Sequence, residues 1–421
     1  MSQSGRPARL CGMRADWDVI VIGAGLAGLA AGATAARAGS ATLVLEAHLP
    51  GGRARVTTSD GFVFNRGIHA LYQAGAGWEV LRSLGIEPQG SSPPLARYQA
   101  LAGGELHLLP TSPDSLRRTT LLGRKDKEAL AALLARLPRL HPRRHAGASV
   151  SQWIGGAGLG PAAAAAVDAL VRLTTYVPDM NTLAADAAVA QLQRAAGGVL
   201  YLHGGWAQLV TRLAALCQVR TGIKVIGVAS AAGRVEVVTS NGPLTARSVI
   251  IAADRPAAAL RLLPADPGWG DLGPEVTAAC LDAGVRRVPD PGYVLGVDAP
   301  VYAAVQSPPA RQAPAGQAVV AAVRYGATEA TADRAVLRAH LARAGVPEED
   351  VVTSRFLARM VVAGAAPTAA RGGLGSRPAV RTSPTPRPGW SPPPPGCVWT
   401  GSAPRPGSGR STPGRGCPSR S

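Results

Sequence analysis

Residues 18–22, Asp-Val-Ile-Val-Ile, form a short β-branched run without polar alternation. That pattern predicts a strand covered on both faces of a parallel sheet. Gly23-Ala24-Gly25-Leu26-Ala27-Gly28 follows and opens an Ala-rich helix to about residue 38, with Gly39 as its stop. Residues 41–45 read as a second strand ending at Glu46, and Pro50-Gly51-Gly52-Arg53 as a turn. Residues 61–65 and 67–72 continue as strand and loop. From 74 to 196 the spacing becomes helical, for example over 127–137 and 161–173, with Pro-containing loops between. At Gly197 the earlier style returns. Residues 209–217 read as helix, while 222–228, 234–239 and 248–252 read as strands. Residues 270–345 form a further mixed block with a strand at 318–324.

These switches predict an α/β protein with a discontinuous Rossmann-like nucleotide-binding domain, residues 17–73 and 197–262. An α+β substrate or cap domain, 74–196 and 263–350, is inserted in it. Residues 351–380 are read as a remnant of the nucleotide domain, and 381–421 as a low-complexity tail. Residues 367–421 hold thirteen Pro, with Ser, Gly and Arg filling most of the rest. Such a stretch cannot bury enough apolar surface to offset its ordering entropy. A disordered tail and the out-of-frame translation of a GC-rich gene are two readings of it.

Charge changes the picture less than its total suggests. The formal net charge is +18. Residues 351–421 contain ten Arg and no Asp or Glu, which leaves 34 basic and 26 acidic residues in the first 350. That balance is ordinary, so no nucleic-acid partner is expected. The five Cys show no CxxC or metal-ligand spacing, which fits a reducing, cytoplasmic setting and no bound metal. Residues 19–36 carry no charge and approach the length of a membrane span. Their four glycines and change of period favour a buried strand and helix, and a peripheral membrane contact is left open. Aromatic residues are 4% of the chain, so the core must be built from Ala, Val and Leu.

The glycine corner carries the chemistry. Gly23 permits the tight strand-to-helix turn, Gly25 removes a Cβ where a diphosphate must approach, and Gly28 lets helix and strand pack. The helix start offers free N–H groups and a positive dipole end to the anion. Glu46 lies 23 residues after Gly23, where a carboxylate can accept from ribose hydroxyls and would repel a 2′-phosphate.

Asp18 to Gly28, Glu46, Gly51-Gly52-Arg53 and Gly61-Phe-Val-Phe-Asn-Arg-Gly67-Ile-His69 together resemble the FAD-binding start of the phytoene desaturase and flavin amine oxidase superfamily. Leu202-His-Gly-Gly205-Trp206 with Ile223-Lys-Val225 resembles its second FAD segment, and Ile250-Ile-Ala-Ala-Asp254 its returning strand. The resemblance implies FAD as cofactor. It implies that Gly23, Ala24, Gly25, Leu26, Ala27 and Gly28 cradle the diphosphate, and that Glu46 and Ala47 meet the adenosine ribose. It also implies that Gly51, Gly52 and Arg53 follow the diphosphate and ribityl chain, Val225 meets adenine, and Gly67 and His69 lie near the flavin ring. No catalytic residue is assigned. A phytoene dehydrogenase-like oxidoreductase is implied, taking hydride from an apolar, isoprenoid-like substrate or an amine and passing electrons to oxygen or a quinone. A non-catalytic prenyl-binding escort shares the fold and is the alternative. So is a family enzyme inactivated at its C-terminal flavin segment, because no Gly-Asp pair follows residue 300.

Overall fold

A computed structural model describes residues 16–375, apart from Ala232, Asp266 and residues 268–271. Both readings of the tail, 381–421, concern residues outside that range.

The first sheet has six strands in the order Gln218–Arg220, Thr42–Leu45, Trp17–Ile22, Gly242–Ile251, Arg234–Thr239, Val225–Ala231. The first four run parallel, and the last two fold back antiparallel. The central apolar runs earn their place by burial: Ile20, Val21, Leu43 and Val44 are fully covered. Helix Leu26–Arg37 lies on one face and buries Gly28, Leu29, Gly32 and Ala33. A Cβ at Gly32 would meet Val44 Cγ2 at 2.5 Å, so its small residues let helix and sheet close up. Helix Ala207–Ala214 packs beside it through Leu209 and Leu213. The chain leaves this sheet after Leu45 and returns at Gln218, so the sheet is discontinuous in sequence.

The second sheet has seven strands in the order Val351–Ala363, Val276–Val285, Ala318–Tyr325, Val301–Val305, Tyr293–Gly296, Gln99–Ala102, Glu105–Leu108. All its pairings are antiparallel except that of Tyr293–Gly296 with Gln99–Ala102. Val351–Ala363 falls in the segment expected to be a remnant of the nucleotide domain. It is instead an edge strand of this second sheet, paired along its length with Val276–Val285. Val351–Ala363 has no fully buried residue, and Val351–Ser354 alternate between half-buried and exposed, which suits an edge strand. Beyond it the chain lies against the helical layer, where the Ala184 N–H donates to Pro367 O and Leu183 bridges Thr368. That layer comprises helices Arg124–Arg136, Pro161–Thr175 and Ala185–Ala196, packed through Leu130, Leu133, Val167 and Val171.

Arg355 links the two sheets. Its guanidinium pairs with Asp282, donates to Thr57 Oγ1 at 2.6 Å and to Asn65 O, and lies over the Phe64 ring. Asp282 is on the inner strand Val276–Val285, next to the edge, while Thr57, Phe64 and Asn65 belong to the hairpin Val56–Ser59/Phe62–Asn65.

Candidate functional site

The glycine corner forms where strand Trp17–Ile22 ends. Gly23 has φ +102°, and a Cβ there would meet Ala252 O at 2.6 Å. A Cβ on Gly28 would lie 1.8 Å from Gly23 O. Both positions therefore require glycine for conformation or close approach. Gly25 differs. It has an extended backbone, and a Cβ would meet nothing within 4 Å. Open space thus stands in front of the helix start. No side chain caps that helix, so first-turn N–H groups of Leu26, Ala27 and Gly28 have no intrahelical acceptor.

Two other sequence-predicted segments meet this corner. Glu46 Oε2 accepts from Ala24 N at 2.8 Å, and its Oε1 accepts from His48 N at 3.0 Å. The Gly51 N–H donates to Ala24 O at 2.7 Å, and Gly52 sits against Gly25. Ala47 lines an open cleft of about 490 Å³ with His48, Arg55, Thr221 and Gly222. Val225 starts the neighbouring strand three residues after Gly222 and does not line the cleft.

Arg53 points away from the corner. Its Nη1 donates to the carbonyls of Val361, at 3.3 Å, and Val362, and its Nε lies 3.6 Å from Asp254. Gly67 and His69 lie deeper, between the sheets. The Met360 side chain packs onto Gly67, with Cys280 behind it. His69 sits edge-on to Trp206, ring centroids 5.1 Å apart. The Gly67 carbonyl, 2.9 Å from Nδ1, can only accept, so Nδ1 carries the proton and Nε2 keeps a lone pair. Burial pushes the His69 pKa below the usual imidazole value. The Gly67 hydrogen bond works against this, and Arg53 and Arg355 add to it. Behind Gly67, burial raises the Asp282 carboxyl against the pull of Arg355. It also raises the Cys280 thiol, which donates to Asp282 Oδ1.

No motif or spacing along the chain points to the next feature. The chain has seven tyrosines, and all seven gather beside this point. Tyr176 OH donates to Ile68 O at 3.1 Å and its ring meets Tyr325 edge-on. Tyr302 OH donates to Tyr98 OH at 3.1 Å, Tyr98 and Tyr201 hydroxyls lie 3.3 Å apart, and Tyr293 stacks on Tyr98. Tyr72 is near enough to raise Tyr176 and Tyr325. Burial drives all seven phenols above their ordinary value, so they stay protonated. The Tyr325 hydroxyl and both ends of the Gln306 amide are buried without a hydrogen-bond partner. Each tyrosine comes from a different loop or element, so no spacing along the chain could have disclosed the cluster.

Residues 26–280, over half of the chain, match the family described as flavin containing amine oxidoreductase. The chain belongs to that family. No curated protein matches it in sequence. Solved structures resemble it over most of its length. An oxidoreductase from Methanosarcina mazei superposes with a TM-score of 0.68 at 18% identity, covering 87% of this chain and 92% of that one. A putative protoporphyrinogen oxidase from Exiguobacterium gives 0.64 at 19%, covering 86% and 89%. Cyclohexylamine oxidase from Brevibacterium oxydans gives 0.64 at 18%, covering 81% and 84%. At these identities the likeness shows the fold.

This flavin amine oxidoreductase is an FAD enzyme, and its adenosine diphosphate half-site fits that cofactor. Open space before Gly25, acceptor-free N–H groups behind it and Glu46 beside the Ala47–Thr221 cleft are the features a diphosphate and a ribose need. Each Glu46 oxygen accepts one backbone N–H, which leaves lone pairs for ribose hydroxyls.

Proposed function

We propose that this oxidoreductase acts on an amine whose oxidisable carbon sits between Gly67–His69 and the tyrosine cluster. When bound, FAD would supply the redox chemistry, as acceptor for the substrate hydride and donor to oxygen or a quinone. The chain's own residues position and desolvate. Gly23, Ala24, Gly25, Leu26, Ala27 and Gly28 hold the diphosphate, with Gly51 and Gly52 alongside. Glu46 and Ala47 meet the ribose, and the adenine lies toward Thr221 and Gly222, where the chain leads into Val225. Gly67 and His69 border the ring system, with Met360 packed against Gly67. His69 stays neutral and keeps its Nε2 lone pair available as a proton acceptor.

The observation that carries the amine reading is the unpartnered Tyr325 hydroxyl and Gln306 amide beside the ring cluster. A hydrocarbon lying there would leave each of these groups buried and unsatisfied, at about 1–3 kcal/mol apiece. An amine supplies a donor, and an acceptor when neutral, and its cationic form is attracted to aromatic faces. This argues against the isoprenoid substrate that the Ala/Val/Leu composition suggested.

The test is anaerobic reduction of the FAD-loaded protein, followed by loss of the visible flavin band. Primary amines are expected to bleach it, and a polyene hydrocarbon of similar length to leave it yellow. Bleaching by the polyene alone overturns the substrate reading. A second reading, weak flavin retention, is favoured by Arg53, whose guanidinium is engaged with Val361 and Val362. A colourless purified chain that takes up FAD only at high concentration supports it.

A further inference from the structure

A second cavity, of about 570 Å³, opens on the far side of helix Ala185–Ala196. Its volume is in the range of small-molecule sites. Its walls combine two chemistries. Pro142, Ala190 and Leu374 are apolar, while His141, Arg143 and Arg194 bring basic side chains.

The cationic character has a sequence origin. Between Glu128 and Asp168 the chain has no acidic residue, yet it carries Arg136, Arg139, Arg143, Arg144 and two His. Residues 142–145 make one 3-10 turn that sets Arg143 at the cavity. Arg194 comes from the helix opposite, with its Nη1 3.3 Å from Gln191 Oε1. Among the described residues neither Arg143 nor Arg194 has a carboxylate within salt-bridge distance. The nearby carboxylate, Asp186, is already spent. It accepts from Ala187 N at 2.7 Å and from Leu374 N at 2.9 Å.

We propose that this cavity binds an apolar molecule ending in a carboxylate. The apolar wall takes the body, and the two guanidinium groups take the acid. Guanidinium forks match a carboxylate with paired, charge-assisted hydrogen bonds. Arg194 is the better held of the two, since Gln191 fixes one nitrogen and leaves the others to the ligand. The Tyr72 hydroxyl, at the edge of the tyrosine cluster, faces the same Gln191 side chain. The proposal stands apart from the flavin reading and does not depend on it.

The full chain is titrated by calorimetry with decanoate, and with decanol as the uncharged control of equal length. Decanoate is expected to bind one site, and decanol to bind at least about tenfold more weakly. Arg143→Glu and Arg194→Glu are each expected to weaken decanoate by at least about tenfold, since each removes one charge-assisted contact and adds repulsion. Arg143 is exposed, so that variant keeps the test sound if Arg194→Glu fails to fold. Added salt should weaken the complex, because the pair is open to solvent. A third arm uses phosphatidylglycerol vesicles. Binding to vesicles without uptake of free decanoate overturns the proposal in favour of a lipid surface. Equal binding of decanol, or decanoate binding unchanged in both variants, overturns it too.

Discussion

The two sheets reach the same burial by opposite routes. In the nucleotide sheet, Val19-Ile20-Val21-Ile22 and Thr42-Leu43-Val44-Leu45 are β-branched or large, and their burial is written in their composition. The strand next to the edge of the second, cap-side sheet is Val-Thr-Ala-Ala-Cys-Leu-Asp-Ala-Gly-Val, residues 276–285, nearly all of it buried. Alanine, glycine and aspartate are poor strand formers, so local preference does not make that strand. Its neighbours do. It pairs on both sides, and the Phe62 ring covers Gly284, where a Cβ would lie 2.6 Å from Phe62 Cγ. One sheet is specified by its own residues, and the other by what packs against it.

The sharpest way to break this comparison is to cut the link between the two. Asp282 belongs to the context-dependent strand and is almost fully buried, and Arg355 is its charge partner. Arg355→Met leaves that carboxylate unpaired and strips donors from Thr57 and Asn65. The expected cost is about 3–5 kcal/mol, read from urea unfolding, as for other broken buried pairs. Adding Asp282→Asn should return part of it, because the uncompensated charge is then gone. A single variant as stable as the parent means that the cap strand does not need its charge partner.

The same contrast explains what could be read from the chain. Most strands of the nucleotide sheet, its helix and the meeting of Gly23–Gly28 with Glu46 and Gly51–Gly52 were legible, because each rests on residues close in sequence. Of the cap sheet, only the strand at 318–324 was. The hairpin at residues 99–108 lay inside a stretch that reads as helical, and Val276–Val285 carries no strand pattern. Arg53 was legible as a residue but not in its direction, since its acceptors are more than 300 positions away. Arg355, Asp282 and the seven tyrosines draw their meaning from contacts between elements, and a single sequence holds no record of those.

A smaller effect sharpens the comparison inside the nucleotide sheet. Gly28 is needed by the fold, because any Cβ would strike Gly23 O. Gly25 is free of such contacts and has an ordinary extended backbone. Gly25→Val should therefore fold, losing about 1 kcal/mol or less of helix-start preference. Its side chain fills the open space, so FAD affinity should fall by roughly 100-fold, about 2.7 kcal/mol at 1.4 kcal/mol per decade. Thermal melting with and without FAD measures both quantities. A variant that melts like the parent and still gains the parent's shift with FAD shows that the diphosphate lies elsewhere.

The least of the expected effects separates the halves by pH. His340 sits buried in helix Ala330–Arg343, its Nε2 2.9 Å from Val294 O, on the cap sheet. Burial lowers its pKa, and that carbonyl resists the shift. His69 is lowered in the same way at the junction of the sheets. A lowered value in the fold means that the unfolded chain takes up protons first. Their stabilisation is whole above the unfolded value, about pH 6.5. It drains away as pH falls from there to the folded values, by at most about 1.4 kcal/mol per pH unit for each histidine. Asp282 has the opposite sign, since burial raises its pKa and acid then favours the fold. The net slope alone is therefore ambiguous, and the variant decides. His340→Gln keeps a donor for Val294 without a titrating ring, so it should flatten the loss of melting temperature between pH 7 and 5. A slope unchanged by that replacement places the acid sensitivity at the sheet junction, with His69, rather than in the cap.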